Sequence, residues 1–118
     1  MKSDTFNVTT LARAIETRDA KALGGLYAEG ATVRIIDRDH PPSHPRELAG
    51  RPAIAAFYND VCGRVMIHHM ESAVVNASHL AFTQSCAYPA GKRVFCSAMA
   101  DLEDGKIVRQ TIVQAWDV

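Results

Sequence analysis

Five histidines, three cysteines and a short acidic run are the residues of this chain that could do chemistry. His68 and His69 stand side by side where the pattern alternates, so they face opposite ways. Parity groups His68 with Met66, Met70 and Val74, the more apolar set, and His69 with Ile67, Glu71, Ala73 and Val75. His68 is therefore the inward histidine, and imidazole titrates near neutral pH, which suits proton abstraction beside a carbonyl. His40 and His44 are four apart, but that spacing gathers a metal only on a helix, and Pro41, Pro42 and Pro45 forbid one. No bound metal is expected. Cys86 and Cys96 are expected to face each other across a hairpin as a reduced, small apolar pair. A nucleophile there would need an activating base, and sequence spacing assigns none. Glycine-rich phosphate cradles and a Ser-His-Asp order are absent.

The elements that must hold these residues fall into two regimes. Up to residue 63 the period is helical. Val8, Leu11, Ala12 and Ile15 share one helical face, with Asp4 or Thr5 as the expected N-cap. Asp19 should cap a second helix carrying Leu23, Leu26 and Tyr27, weakened by Gly24-Gly25 and stopped by Gly30. Ala31 to Asp37 is a β-branched strand, and residues 38–50, with three of the five prolines, read as a long loop of the kind that serves function. Pro52 opens a third helix with Ile54, Phe57, Tyr58 and Val61 on one side and Gly63 at its end. From Val65 the period becomes two, with strands expected at 66–76, 79–88, 92–103 and 106–117. Asp104-Gly105 is the clearest hairpin turn. Helices segregated from a mostly antiparallel sheet make an α+β domain.

The 118 residues suffice for one domain, taken as 1–118, and the 47% apolar and 22% charged content is that of a globular chain. Thirteen basic and thirteen acidic residues cancel, and no basic stripe is present, so nucleic acid is not an expected partner. No apolar run approaches the roughly 20 residues that span a bilayer. The polar start reads as having no leader peptide. Three cysteines without a Cys-x-x-Cys spacing fit a reducing cytoplasm and give no zinc site.

The element order, together with Thr17-Arg18-Asp19-Ala20-Lys21-Ala22-Leu23, Leu26-Tyr27-Ala28-Glu29-Gly30-Ala31-Thr32-Val33, Leu48-Ala49-Gly50-Arg51-Pro52-Ala53-Ile54 and Glu103-Asp104-Gly105-Lys106-Ile107-Val108, resembles the nuclear transport factor 2-like superfamily. SnoaL-like polyketide cyclases, ketosteroid isomerases and scytalone dehydratase share that fold. The resemblance covers nearly the whole chain. It implies a cystatin-like cone in which three N-terminal helices sit against a highly curved, mostly antiparallel sheet around one pocket. It says little about chemistry, because the scaffold hosts many unrelated activities.

On that resemblance the inward faces are pocket walls, with Ile35, Asp37, Tyr58, Phe82, Gln84, Ala98, Gln114 and Trp116 as the expected ligand-facing residues. The last strand would turn Val108, Gln110, Ile112, Gln114 and Trp116 inward and Ile107, Arg109, Thr111, Val113 and Ala115 outward. Ketosteroid isomerase chemistry, itself a standard worked case of pKa tuning, is rejected: its aspartates fall on Ile35 and Ala98 and its tyrosine on Leu11. The run Asp37-Arg38-Asp39 mimics the Asp-Arg-Asp set of limonene epoxide hydrolases only by chance, since theirs come from separate elements. Dehydratase-like relatives orient a histidine with a helix-one carboxylate, a position occupied here by Glu16, so a Glu16–His68 dyad is one expectation. A structural His68 beside a solvated Glu16 is its competitor. Two functions stand. One is a cofactor-free isomerase, dehydratase or cyclase acting on an apolar or aromatic metabolite through His68. The other is a non-catalytic binding or interaction module. A homodimer through the outer sheet face, around Phe95, Met99 and Val113, is expected of either.

Overall fold

In the computed structural model, which describes residues 5–117, the chain runs α1 (Val8–Glu16), α2 (Ala20–Gly24), β1 (Tyr27–Ile36), β2 (Arg46–Ala49), α3 (Arg51–Cys62), β3 (Ile67–Val75), β4 (His79–Ala87), β5 (Arg93–Glu103) and β6 (Lys106–Trp116). The cap of α1 is Asn7, whose side chain accepts from the Thr10 N–H; Thr5 lies before it, and Asp4 is outside the described residues. Asp19 caps α2 as its position predicts, accepting from Ala22 N at 3.0 Å. Gly63 closes α3, whose buried side carries Ile54 and Phe57.

The six strands form one sheet in the order β2-β1-β6-β5-β4-β3, antiparallel except where β1 meets β6. α1 packs on β3, α2 on α3, and α3 on β1 and β2. One large apolar core lies between helices and sheet, around Leu11, Ile15, Ile54, Phe57, Leu80, Phe82 and Ile112. A smaller cluster of Met66, Cys86, Val94 and Cys96, flanked by Tyr88 and Trp116, forms a second apolar region. No helix among the described residues is long and apolar enough to cross a membrane.

Four sequence expectations give way here, each for a physical reason. The second helix ends at Gly24, so Tyr27 and Gly30 belong to β1 instead of the helix and its stop. The Ile107 N–H bonds to the Leu26 carbonyl at 3.0 Å and Tyr27 pairs with Ile107, so tertiary pairing overrides the local helical pattern. The 38–50 segment is not all loop, because Arg46–Ala49 pairs antiparallel with Thr32–Ile35 as a short edge strand.

The other two corrections come from β-bulges. In β3 the register slips between Met70 and Ser72, leaving Glu71 as the extra residue. Beyond it parity inverts: Ala73 turns inward and Val74, expected inside, is 68% exposed. In β6 the slip leaves Val108 unpaired between Ile107 and Arg109, so Ile107 is buried in the core and not on the outer face. At the β5–β6 hairpin Asp104 (φ 51°) and Gly105 (φ 75°) both occupy the left-handed region, as a two-residue turn of the mirror-image type requires.

Candidate functional site

The sheet, α3 and the 37–46 loop enclose a cavity of about 800 Å³, within the range typical of small-molecule sites. Alternation along three neighbouring strands supplies its sheet-side wall. β4 contributes Phe82, Gln84 and Cys86, β5 contributes Val94, Cys96 and Ala98, and β6 contributes Ile112, Gln114 and Trp116. From the helix side come Ile15, Leu23, Phe57, Tyr58, Val61 and Cys62.

Of the residues expected at the site, His68, Asp37, Tyr58, Phe82, Gln84, Ala98, Gln114 and Trp116 all line this cavity. Two do not. Ile35 is 1% exposed but packed into the core away from the cavity. Glu16 reaches the other histidine: its Oε2 lies 3.0 Å from His69 Nδ1 and accepts from Met70 N at 3.3 Å. The Glu16–His68 dyad is therefore absent from this geometry, because α1 delivers its carboxylate to the exposed side of β3, where His69 points.

His68 instead meets sulfur. Its Nδ1 is 3.1 Å from Cys86 Sγ, directly across the β3–β4 ladder, where the two residues are register partners. His68 Nε2 is buried without a partner among the described residues. The neighbouring Cys96 thiol pulls the Cys86 pKa down, burial opposes it, and the imidazole lowers it further. Cys96 is pushed up in turn by the same contact and by burial. Of the two sulfurs, Cys86 is therefore the one shifted toward the thiolate and Cys96 the one shifted away from it.

Deeper in the fold, the Tyr27 hydroxyl donates to Gln110 Oε1 and lies 2.6 Å from the Tyr58 hydroxyl. Burial raises Tyr27 well above the usual phenol value and pushes Tyr58 up to about 12, so both stay protonated. This chain of neutral donors anchors α3 to the sheet and presents Tyr58 to the cavity.

The rim has a different character. Arg38, Arg46, Arg64 and Lys92 line it against only Asp37 and Asp39. Asp37 is already engaged: burial raises its pKa, but His40 Nδ1 at 2.9 Å and the Asp39 N–H together hold it below the ordinary carboxylate value. Arg64 is paired with Asp60 and donates to the Tyr88 hydroxyl at 3.3 Å. Arg38, Arg46 and Lys92 take part in none of the ion pairs among the described residues. The Arg38 guanidinium lies 4.3 Å from the Trp116 ring centroid, and Trp116 stacks on Tyr88. The Trp116 Nε1 donates to Gln114 Oε1 at 3.1 Å, which satisfies the indole within the wall.

Sequence reasoning missed the rim cations and the His68–Cys86 contact. The prolines and charges of residues 38–46 were the available signal for the first. The second required the β3–β4 register, which no spacing in the chain announces.

No family model matches the chain, and no curated protein matches it in sequence. Solved structures do match. A nuclear transport factor 2-like protein of unknown function from Mesorhizobium loti is 17% identical, with 92% of this chain and 87% of that one covered at a TM-score of 0.78. A candidate ketosteroid isomerase from Kribbella flavida is 14% identical over 94% and 75%, TM-score 0.72. A candidate polyketide cyclase from Sinorhizobium meliloti is 18% identical over 89% and 91%, TM-score 0.65. Likeness at this level of identity carries architecture and no activity. The chain has the nuclear transport factor 2-like α+β cone fold.

Proposed function

We propose that this protein binds a small aromatic or apolar molecule bearing an anionic group, body in the cone and charge at the rim. The observation that carries this reading is the cavity of about 800 Å³ with apolar and aromatic walls beneath an excess of guanidinium and ammonium groups. In a chain of zero formal net charge, a cationic rim is a local feature and not a by-product of composition. An aryl keto acid such as 3-benzoylpropionate is the test ligand. Trp116, the sole tryptophan, lines the site, so occupancy should change its fluorescence. At a hundred times its dissociation constant the ligand should add roughly 2.7 kcal/mol of stability, seen as a rise in melting temperature. If neither signal moves with this acid or with a panel of aryl carboxylates, the binding reading falls.

A second reading is isomerase, dehydratase or cyclase chemistry with His68 as the acid-base group. It is favoured by the burial of His68 in the cavity wall with Nε2 unpartnered. It lacks the orienting carboxylate, which lies on His69. No cofactor is part of either reading. Cytoplasmic residence, in keeping with three free thiols, belongs to the same proposal.

The chain is also proposed to pair with a second copy through the convex face of the sheet. Across the strands Val74, Ala81, Met99 and Thr111 form one row, and Thr83, Ser97 and Val113 the next, followed by Ser85, Phe95 and Ala115. Met99 is 66% exposed and Phe95 and Val113 are each 45% exposed, so the patch is apolar in its middle. Sedimentation should give twice the 12.9 kDa of one chain, and Phe95→Glu should return the single-chain mass. A wild-type mass of one chain at micromolar concentration would refute the pairing.

A further inference from the structure

The cavity wall holds a reactive group that ligand binding alone leaves unused. Cys86 lies in the cavity wall with His68 Nδ1 3.1 Å from its sulfur. The diagonal neighbour Cys96 lines the same wall: Cys96 pairs with Gln84, and Cys86 with Val94. An imidazole held against a sulfur is an arrangement that favours thiolate over thiol. The wall around this group is aromatic, from Phe82 to Tyr88 and Trp116, and Arg38 stands above it.

We propose that Cys86 is a nucleophile that adds to the electron-poor carbon of an α,β-unsaturated carbonyl compound held in the cavity. This goes beyond the binding reading and needs from it only that the cavity admit a ligand. In the step, the sulfur lone pair forms the bond to the β-carbon, and the C=C π pair moves to the α-carbon and carbonyl oxygen. The thiol proton, passed to His68 Nδ1, returns to the α-carbon. Atoms and charge balance with no oxidant, reductant or leaving group. Acyl transfer fits less well. β4 lies between β3 and β5, so its N–H groups are committed to ladder bonds and cannot form an oxyanion hole.

Cys62 provides an internal control. It lines the same cavity, from α3, but burial raises its pKa, and among the described residues no histidine is hydrogen-bonded to it. The titratable and charged groups around Cys86 are His68 from β3, Cys96 from β5, Tyr58 from α3 beside Cys96, and Tyr88 with Arg64 at the rim.

The test uses 3-benzoylacrylate, an aromatic acid with a conjugated double bond, and its saturated analogue 3-benzoylpropionate. Intact mass and peptide mapping should place a single early adduct on Cys86, slowed by excess saturated analogue. Its rate should stay nearly flat between about pH 6 and pH 8, whereas an ordinary thiol loses about tenfold in thiolate per unit below its pKa. His68→Asn should slow labelling and restore that slope, and Cys86→Ser should leave only slow reaction at Cys62. Should either variant fail to fold, the wild-type site map and pH profile still decide. First labelling at Cys62, or a Cys86 rate climbing tenfold per unit, overturns the proposal. Binding of the saturated analogue without any Cys86 adduct overturns it too, while leaving the binding reading intact. A Cys86 adduct with no binding of the saturated analogue supports the nucleophile and removes the aryl-acid reading.

Discussion

Ile54→Ala should destabilise the protein by about 2–5 kcal/mol, the usual cost of truncating a large aliphatic side chain in a core that cannot collapse. Ile54 has 0% exposure and sits on the face of α3 that meets the rest of the core. α3 is preceded by its N-cap Gly50, whose φ of 87° suits glycine, and proceeds through Pro52 in its first turn. The same helix turns Phe57, Tyr58, Val61 and Cys62 toward the cavity. The void left by the mutation therefore lies directly behind a wall of the site. In urea, with a slope of about 2 kcal/mol per molar, the midpoint should fall by roughly 1–2.5 M. Val65→Ala, at an exposed position, should change the stability by no more than about 0.5 kcal/mol. An Ile54→Ala midpoint indistinguishable from that of Val65→Ala would contradict the packing described for α3.

Arg38→Glu should weaken binding of an aryl carboxylate by about ten- to a hundredfold, since a hydrogen bond to a charged group contributes about 1.5–3 kcal/mol. The guanidinium rests on Trp116 and has no carboxylate partner among the described residues, so it is free to meet an incoming anion. The methyl ester of the same ligand should bind wild type and variant alike. Added salt should weaken the acid and spare the ester, because an exposed rim charge is screened. Titration of Trp116 fluorescence or calorimetry measures all four combinations. If ester and acid lose equally, Arg38 acts by packing and not by charge.

Much of the scaffold was legible because its signals are local. Asp19, Pro52, Gly63 and Asp104-Gly105 each mark an element boundary through a conformational preference of their own. Alternation turned Phe82 and Gln84 of β4 and Ala98 of β5 inward, where they line the cavity. Alternation failed at Glu71 and Val108 because a bulge changes parity without changing composition. That is why Val74 and Ile107 were assigned to the wrong faces. Glu16 illustrates a second limit. A helix position fixes which strand a carboxylate can reach, but which of two adjacent histidines it meets depends on the docking of α1 to within a residue. The cationic rim stayed hidden because Arg38, Arg46, Arg64 and Lys92 are scattered through the chain, and only closure of the cone makes them neighbours.

The single parallel seam in the sheet also dictates the order in which the protein can be made. β1 has β2 on one edge, but its other edge waits for β6: Arg34 and Thr111, paired across that seam, are 77 residues apart in the chain. During synthesis the early helices and β1 must persist with an unpaired edge until the last hairpin has left the ribosome. Neither the Tyr27–Gln110 bond nor the cavity floor at Ile112 exists before then. A topology with such distant partners folds slowly and exposes strand edges meanwhile. Release of the chain before β6 would therefore yield an aggregation-prone nascent product instead of a smaller working cone.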